Sequence, residues 1–366
     1  MTIGTTPDVA RVRQGLADYL GAEISRLEIL ASGWETTVFE FALGSAADKA
    51  EMPVGRPMVL RFYQGTSAGE KGPREYMTLR ALAKTGYPAP RPYLYESAIE
   101  PLGVPFLIMD RSEGGPLLQL TSFPKAFKAF SLAFFAFVRA HVLLHRFDPS
   151  ALGLDQLPPR FGFARGSSPT PTRLLDRVLT TIAQRVEEGP LPALEPMLEW
   201  ARAGAERFPC QRNSVLHLDY HPQNAVVSGI RVTGIIDWVN TDIGDRHLDA
   251  ATTSAILASS TMERPRWMRR NAIGNCLRRS FTTLYLALYH AMAPVDFQRL
   301  RYYQGVAALL RLSMFGMMRT RGPESVGFRP EAIVEITPSV TGELSRYAAR
   351  KSGLAIQLES VMVPSA

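Results

Sequence analysis

The sequence predicts an α+β chain in two lobes, a small antiparallel-sheet lobe followed by a larger, mainly helical one. Three observations carry this. Strand-like runs cluster in the first 110 residues. A Gly- and Pro-bearing stretch, Asp110-Arg-Ser-Glu-Gly-Gly-Pro116, then interrupts the pattern. Beyond it, apolar residues recur at helical spacing, broken by one hairpin within residues 215–238. A length of 366 residues suits about two folding units with ample core. The expected division is 1–110 for the sheet lobe and 111–366 for the helical lobe.

The elements follow in order. Residues 7–20 read as a helix, with Pro7 near its start and Val9, Val12, Leu16 and Leu20 at helical spacing. Residues 27–30 and 38–43 are apolar strands flanking Ala31-Ser-Gly-Trp-Glu-Thr-Thr37, a strand–turn–strand signal. Residues 58–63 form a third strand. Residues 74–84 form a helix with Tyr76, Leu79, Leu82 and Ala83 on one face. Tyr87-Pro-Ala-Pro-Arg-Pro92 excludes helix, and strands follow at 93–96 and 105–109. In the second lobe, helices are expected at 125–147, 172–188, 191–208, 271–293 and 297–318, with a last helical segment at 342–360. Residues 157–172, rich in Pro and Gly, form an irregular excursion.

Composition narrows the function classes. Hydrophobic residues make up 46% and charged residues 20%, which excludes wholesale disorder, collagen and coiled coil. Two cysteines, Cys210 and Cys276, support neither a disulfide framework nor a four-thiolate metal site, and read as reduced packing residues. No apolar run approaches the ~20 residues of a membrane span, and the start lacks a signal-peptide pattern. A cytoplasmic protein is expected. Net charge is +7, concentrated after residue 250, where 15 basic and 7 acidic residues leave a net +8. Such a half can mean nucleic acid, an anionic membrane or an anionic small molecule as partner, or nothing beyond solubility, the usual case.

The chemistry sits between Val215 and Trp238. Ala225-Val-Val227 and Gly234-Ile-Ile236 flank the turn Ser228-Gly229. His217, Asp219 and Asn224 precede this hairpin and Asp237 follows it. An antiparallel hairpin brings its outer ends together, so Asn224 and Asp237 should face each other with Asp219 close by. Hard oxygen ligands in that number suit Mg²⁺, which leaves its other positions to water and phosphate. Asp219 then faces an acceptor hydroxyl as its base, the spacing that kinases use.

His217-x-Asp219-x4-Asn224, Ile235-Ile-Asp-Trp238 and Gly244-Asp-Arg-His-Leu-Asp249 together resemble the aminoglycoside phosphotransferase/choline kinase-like family, small-molecule kinases with a protein-kinase-like fold. Arg74-Glu-Tyr, Gly86-Tyr-Pro-Ala-Pro, Pro105-Phe-Leu-Ile-Met-Asp-Arg and Leu144-His-Arg-Phe-Asp-Pro extend the resemblance over about residues 25–255. It implies ATP and Mg²⁺ as cofactors and a small-molecule hydroxyl acceptor as partner, with no nucleic acid and no membrane, in a monomer or homodimer. It implies Asp219 as catalytic base and Asn224 and Asp237 as Mg²⁺ ligands. Ser32, Gly33 and Thr36 belong to the implied phosphate-covering turn. Backbone groups at Met109, Asp110 and Arg111 are implied to hold the adenine, and Glu75 to pair with the small-lobe cation. That cation departs from the protein-kinase pattern, because the third strand offers Arg61 where those kinases carry Lys. The turn is also sparse in glycine. These departures motivate a competing expectation, a catalytically weak nucleotide-binding protein.

Other polar residues read as structural. His217 braces the loop beneath Asp237, His221 belongs to a turn, and Asp245 and Asp249 cap helices and brace the loop. His141 and His145 share one helix face but show no third metal ligand in the sequence. Trp238, Trp267, Tyr302 and Tyr303 read as packing.

Overall fold

The protein is described by a computed structural model covering residues 8–32, 36–65, 67–117, 123–161, 173–259 and 272–356. The first lobe holds α1 (Val9–Leu20), β1 (Ile24–Ser32), β2 (Thr36–Leu43), β3 (Met58–Tyr63), α2 (Ala68–Leu82), β4 (Pro92–Glu96) and β5 (Phe106–Asp110). The strands form one antiparallel sheet in the order β1-β2-β3-β5-β4.

β3 is central and buried along its whole length, and its side chains alternate between two cores. Met58, Leu60 and Phe62 join Val12, Leu16 and Leu20 of α1 on one face. Val59 and Tyr63 face the other way and join Leu79 and Leu82 of α2. The same parity puts Arg61 on the α2 face. An otherwise apolar strand thus delivers one cation to the side where the second lobe docks.

α2 starts six residues earlier than the sequence suggests. Pro73 lies inside the helix. The helix is fastened to the second lobe by Arg74, which donates from Nε to the Pro158 carbonyl (2.9 Å), from Nη1 to that of Val239 (2.9 Å) and from Nη2 to that of Pro159 (2.9 Å).

The connection into the second lobe is itself built in. β6 (Gly115–Pro116) pairs with β8 (Ala225–Ser228), which pairs with β9 (Arg231–Ile235). At Gly114, φ is 103° and a Cβ would lie 2.1 Å from the Val227 carbonyl oxygen, so only glycine fits. The helices are α3 (Phe123–Leu144), α4 (Leu174–Glu188), α5 (Glu195–Ala205), α6 (Arg246–Ala258), α7 (Ala272–Met292), α8 (Phe297–Arg321) and α9 (Pro338–Ser352). β7 (Asn213–Leu216) pairs with β10 (Asp242–Asp245), a short strand that the sequence does not announce. α8 packs against α4, α5, α6 and α9 and buries Leu309, Leu312, Phe315 and Met318. α9 starts at Pro338, with Thr337 as its cap, and ends at Gly353 in the left-handed region. The expected segment at 342–360 misses both signals because the proline serves as a first-turn residue and the glycine as the stop.

Cys210 is exposed, which corrects its reading as a packing residue. Tyr302, Tyr303 and Trp238 are core, while Trp267 lies outside the described residues. No described helix is long and apolar enough to cross a membrane.

Candidate active site

The loop after β7 runs through His217, Leu218 and Asp219 to a short turn, Pro222–Asn224. Leu218 holds φ at 57° and Asp237 at 69°, and these are the two non-glycine residues with positive φ among those described. Each such conformation costs on the order of 1–3 kcal/mol and persists only where neighbours impose it. Here the neighbours are explicit. Asp249, in the first turn of α6, accepts from the backbone N–H of His217 (2.6 Å) and of Leu218 (2.8 Å). His217 Nε2 meets the Ile236 carbonyl (3.0 Å), and Glu75 Oε1 accepts from the Trp238 N–H (3.1 Å), so Asp237 is held from both sides. The bracing expected of His217 and Asp249 is what the structure contains.

Asp219 and Asn224 come together. Asn224 Nδ2 donates to the Asp219 carbonyl (3.0 Å), which leaves its side-chain oxygen for another partner. Among the described residues, the Asp219 carboxylate has only long contacts, 3.5 Å to Asn224 Nδ2 and 3.8 Å to His221 Nε2, and its side chain is 26% exposed. It is thus an acceptor without a strong internal donor. His221 caps the 222–224 turn, as expected, and burial lowers its pKa. The hairpin places Asn224 and Asp237 at its base: Ala225 pairs with Ile235, and the Ile236 N–H donates to the Asn224 carbonyl (2.9 Å). Two oxygen-bearing side chains beside Asp219 fit a hard divalent cation in type and number.

Arg61 completes this side. Its Nη2 donates to Asp237 Oδ1 (2.7 Å), and its Nε lies 3.2 Å from Glu75 Oε2 without hydrogen-bond alignment. Glu75 is fully buried and also accepts from the Tyr63 hydroxyl (2.7 Å). Burial pushes the Glu75 carboxyl up, against the pull of Arg61. Burial also works against the charge of Asp237, but Arg61 outweighs it and holds that carboxylate below its ordinary range. The expected Glu75–cation pair is present, and the guanidinium fork reaches Asp237 as well, which one ammonium does less readily. Arg61→Ala is expected to weaken Mg·nucleotide binding about tenfold, ~1.4 kcal/mol, and to destabilise the fold by ~3 kcal/mol through the carboxylates left behind. Arg61→Lys should recover only part of each. Calorimetric titration with Mg·AMP-PNP and thermal melts check both; unaltered binding in Arg61→Ala would assign the phosphates to another cation.

A profile of the phosphotransferase enzyme family matches residues 26–294. The chain belongs to this family. Among curated proteins, acyl-CoA dehydrogenase family member 11 of Gallus gallus is 26% identical over 182 residues, and that of Homo sapiens 25% over 180. Each match covers 49% of this chain, which spans only 22% of the relative's length. Among solved structures, the apo form of a thermostable mutant of aminoglycoside phosphotransferase APH(4)-Ia aligns with a TM-score of 0.60 at 18% identity, covering 94% of this chain and 100% of that one. A ternary complex of the same protein with ADP and hygromycin B gives 0.57 at 18% identity, covering 93% and 98%. Macrolide 2'-phosphotransferase MphH from Brachybacterium faecium gives 0.51 at 14% identity, covering 88% and 97%. These likenesses establish a bilobal, kinase-like fold.

In this member of the phosphotransferase enzyme family, the remaining expected positions divide. Thr36 is buried at the start of β2, and the backbone of Ser32 pairs with Thr37. Gly33 lies outside the described residues. Met109 is buried in β5. Asp110 is engaged twice, its N–H with the Arg91 carbonyl (2.9 Å) and its carboxylate with the Tyr93 hydroxyl (2.5 Å). Arg111 donates to Glu40 on β2 (3.0 Å).

The sequence does not show what joins His141 to His145. Their Nε2 atoms both lie 3.1 Å from Asp249 Oδ2, and their Nδ1 atoms meet the hydroxyls of Tyr285 (2.8 Å) and Tyr289 (2.6 Å). Asp249 is thus the third acidic or nitrogen group that the sequence leaves out. Each polar atom of the trio already has a protein partner, so the cluster is complete as a brace. Burial lowers both histidines, His141 to about 3, so they are neutral. Burial opposes the charge on Asp249, but its contacts with His141 and His145 hold it well below the usual carboxylate range. One further arginine approaches the site from the far end of the chain without a local sequence signature. Arg329 donates to Thr37 Oγ1 (2.6 Å) and to Gln64, beside the expected phosphate-covering turn.

Proposed function

We propose that this phosphotransferase is an ATP-dependent small-molecule kinase, with lobes dividing at about residue 110. The observation that supports this best is the convergence of Asp219, Asn224 and Asp237 at the base of one hairpin, with the Arg61–Glu75 pair alongside. Asn224 and Asp237 would hold Mg²⁺, which when bound neutralises charge on the donor phosphates. Asp219 accepts the proton of the acceptor hydroxyl. The freed oxygen bonds to the γ-phosphorus, the bond from that phosphorus to the β–γ bridging oxygen breaks, and ADP leaves. Arg61 faces the phosphates from β3. Ser32 and Thr36 flank the segment expected to cover them, whose intervening residues lie outside those described. The Met109–Arg111 backbone holds the base, with the Asp110 side chain serving to fix the strand.

The acceptor is not a polycation. A carboxylate-lined pocket is needed for several ammonium groups, and Asp242, one acid available to build it, is buried and taken by Arg177 Nη2 (2.6 Å) and the Arg160 N–H (3.1 Å). One member of the basic segment, Arg299, is neutralised within the fold. Arg299 is buried against Asp245 and the Pro209 carbonyl, and Arg301 donates to the Lys351 carbonyl. Arg264, Arg266, Arg269 and Arg270 lie outside the described residues.

A second reading, nucleotide binding without efficient transfer, draws on the Arg61–Asp237 ion pair, which already occupies one carboxylate oxygen of a metal ligand. The two readings separate in a turnover assay with hydroxyl compounds. For either, Asp237→Ala is expected to lower the Mg²⁺-dependent part of nucleotide affinity by about tenfold or more, ~1.4 kcal/mol. Titrations with ATP in Mg²⁺ and in EDTA measure this part; an unchanged difference between the two would remove Asp237 from the metal.

A further inference from the structure

We propose that Arg329 is a positioning residue that clasps the two lobes together at the phosphate end of the nucleotide cleft, and that nucleotide enters and leaves only when this clasp opens. This rests on the kinase reading above and adds to it the contact that sets the rate of nucleotide exchange.

The sheet defines the two ends of the cleft. β5 runs from Phe106 to Asp110 and leads into the connection to the second lobe. β3 lies antiparallel to it, with Met58 opposite Asp110 and Phe62 opposite Phe106, so Tyr63 and Gln64 sit at the end of the sheet away from that connection. Thr36 and Thr37 share this end, opposite Tyr63 and Phe62. Ser32 pairs with Thr37, which puts both flanks of the expected phosphate-covering segment there as well.

The second lobe reaches the same end from beyond α8. The turn Pro323–Val326 packs against α8 and is closed by the Gly327 N–H on the Glu324 carbonyl (3.0 Å) and the Phe328 N–H on the Pro323 carbonyl (3.1 Å). Val326 and Phe328 pack on the main core, so Arg329 projects from a fixed base. Its Nη2 donates to the buried Thr37 Oγ1 on β2 (2.6 Å) and to Gln64 Oε1 just past β3. Beside this bond the two backbones meet through glycines. Gly65 and Gly327 each hold φ at 82°. A Cβ on Gly65 would lie 3.3 Å from the Gly327 carbonyl oxygen, and one on Gly327 would lie 3.0 Å from Ser67 Oγ. The contact is thus fitted on both sides.

A lobe joined at one end alone can swing about that joint. A second tie at the opposite end has to break before the cleft widens, and hydrogen bonds from a charged donor are among the stronger ones. Lobe opening of this kind often limits product release. Arg61 and Arg74 also cross between the lobes, from the middle of β3 and from α2. Arg329 holds the strand ends that flank the covering segment.

The experiment follows Mg·mant-ADP binding to the whole chain and its release into excess ATP by stopped flow, with thermal melts alongside. Arg329→Gln is expected to release mant-ADP about tenfold faster than wild type, with Arg329→Lys in between. Association should also speed up, since a gate hinders entry and exit alike. Gln64→Ala takes away one partner from the first lobe and should accelerate release in part. The double variant should release no faster than Arg329→Gln alone, because both changes open one contact; a general loosening of the fold would add the two effects. Three results overturn the clasp: wild-type release from Arg329→Gln, additive acceleration in the double variant, or faster release with unaltered association, which would make Arg329 a phosphate ligand. If Arg329→Gln does not fold, Gln64→Ala decides by itself, and wild-type exchange in that variant overturns the proposal. Wild-type protein that binds no Mg·mant-ADP would remove the kinase reading and the clasp together, whereas binding with unchanged exchange in the variants removes the clasp alone.

Discussion

Replacing Asp219 by Asn is expected to cut phosphoryl transfer by about 10²–10⁴, the usual contribution of a positioned base, while Mg·ATP binding stays near wild type. The geometry explains the separation. Asn224 is tied to the Asp219 main chain through the Asp219 carbonyl, so the side chain can change without moving the neighbouring ligand. The Asp219 carboxylate has no contact shorter than 3.5 Å to its neighbours Asn224 and His221, so its loss disturbs little of the scaffold. Single-turnover kinetics together with nucleotide titration check this. A variant with most of the wild-type turnover would take Asp219 out of the role of base.

Asp249→Ala is expected to produce the largest loss of stability, ~4 kcal/mol and roughly 10 °C in Tm, together with loss of activity although Asp249 touches no reacting group. Removal strands two backbone N–H groups, at His217 and Leu218, and two imidazole N–H groups in the core. It also releases the left-handed Leu218 that aims Asp219. Asp249→Asn should fall between, since one acceptor oxygen remains. The same cluster sets an acid limit. His141 has a folded pKa of about 3 against 6.5 unfolded, so the unfolded chain takes up the proton first as pH falls. The stability this group contributes is complete above about pH 6.5 and is lost progressively toward pH 3. Thermal melts across that range are expected to show a falling Tm, with a shallower slope in a His141→Gln variant that still folds.

Much of the fold was legible because its signals are local. The residues from Ala225 to Ile235 alternate around Ser228-Gly229, and Gly229 adopts the positive φ (61°) that the turn requires, so the hairpin and its flanking Asn224 and Asp237 follow from the chain itself. β3 and β5 read directly from their apolar runs. The pairing of β7 with β10 did not, because each strand has four residues and their register depends on Asp242 meeting Leu216 across the intervening hairpin. The brace around Asp249 was half legible. Its place in a Gly-Asp…Asp tail suggested loop support, but its link to His141 spans 108 residues and arises only when α3 packs beside α6 and α7. Arg74 belongs to a local sequence motif, but its three carbonyl partners belong to segments 84 to 165 residues away.

The most direct measurement follows the phosphorus. Wild-type protein with Mg·ATP and a panel of hydroxylated carboxylates, sugar phosphates, neutral alcohols and aminoglycosides is examined by ³¹P NMR for a new phosphate ester. The expected result is an ester on a non-cationic alcohol, dependent on Mg²⁺ and absent with Asp219→Asn. Efficient ester formation on aminoglycosides, at kcat/KM of about 10⁴ M⁻¹s⁻¹ or more, would contradict the acceptor assignment. An ester formed equally by wild type and Asp219→Asn would contradict the catalytic site itself.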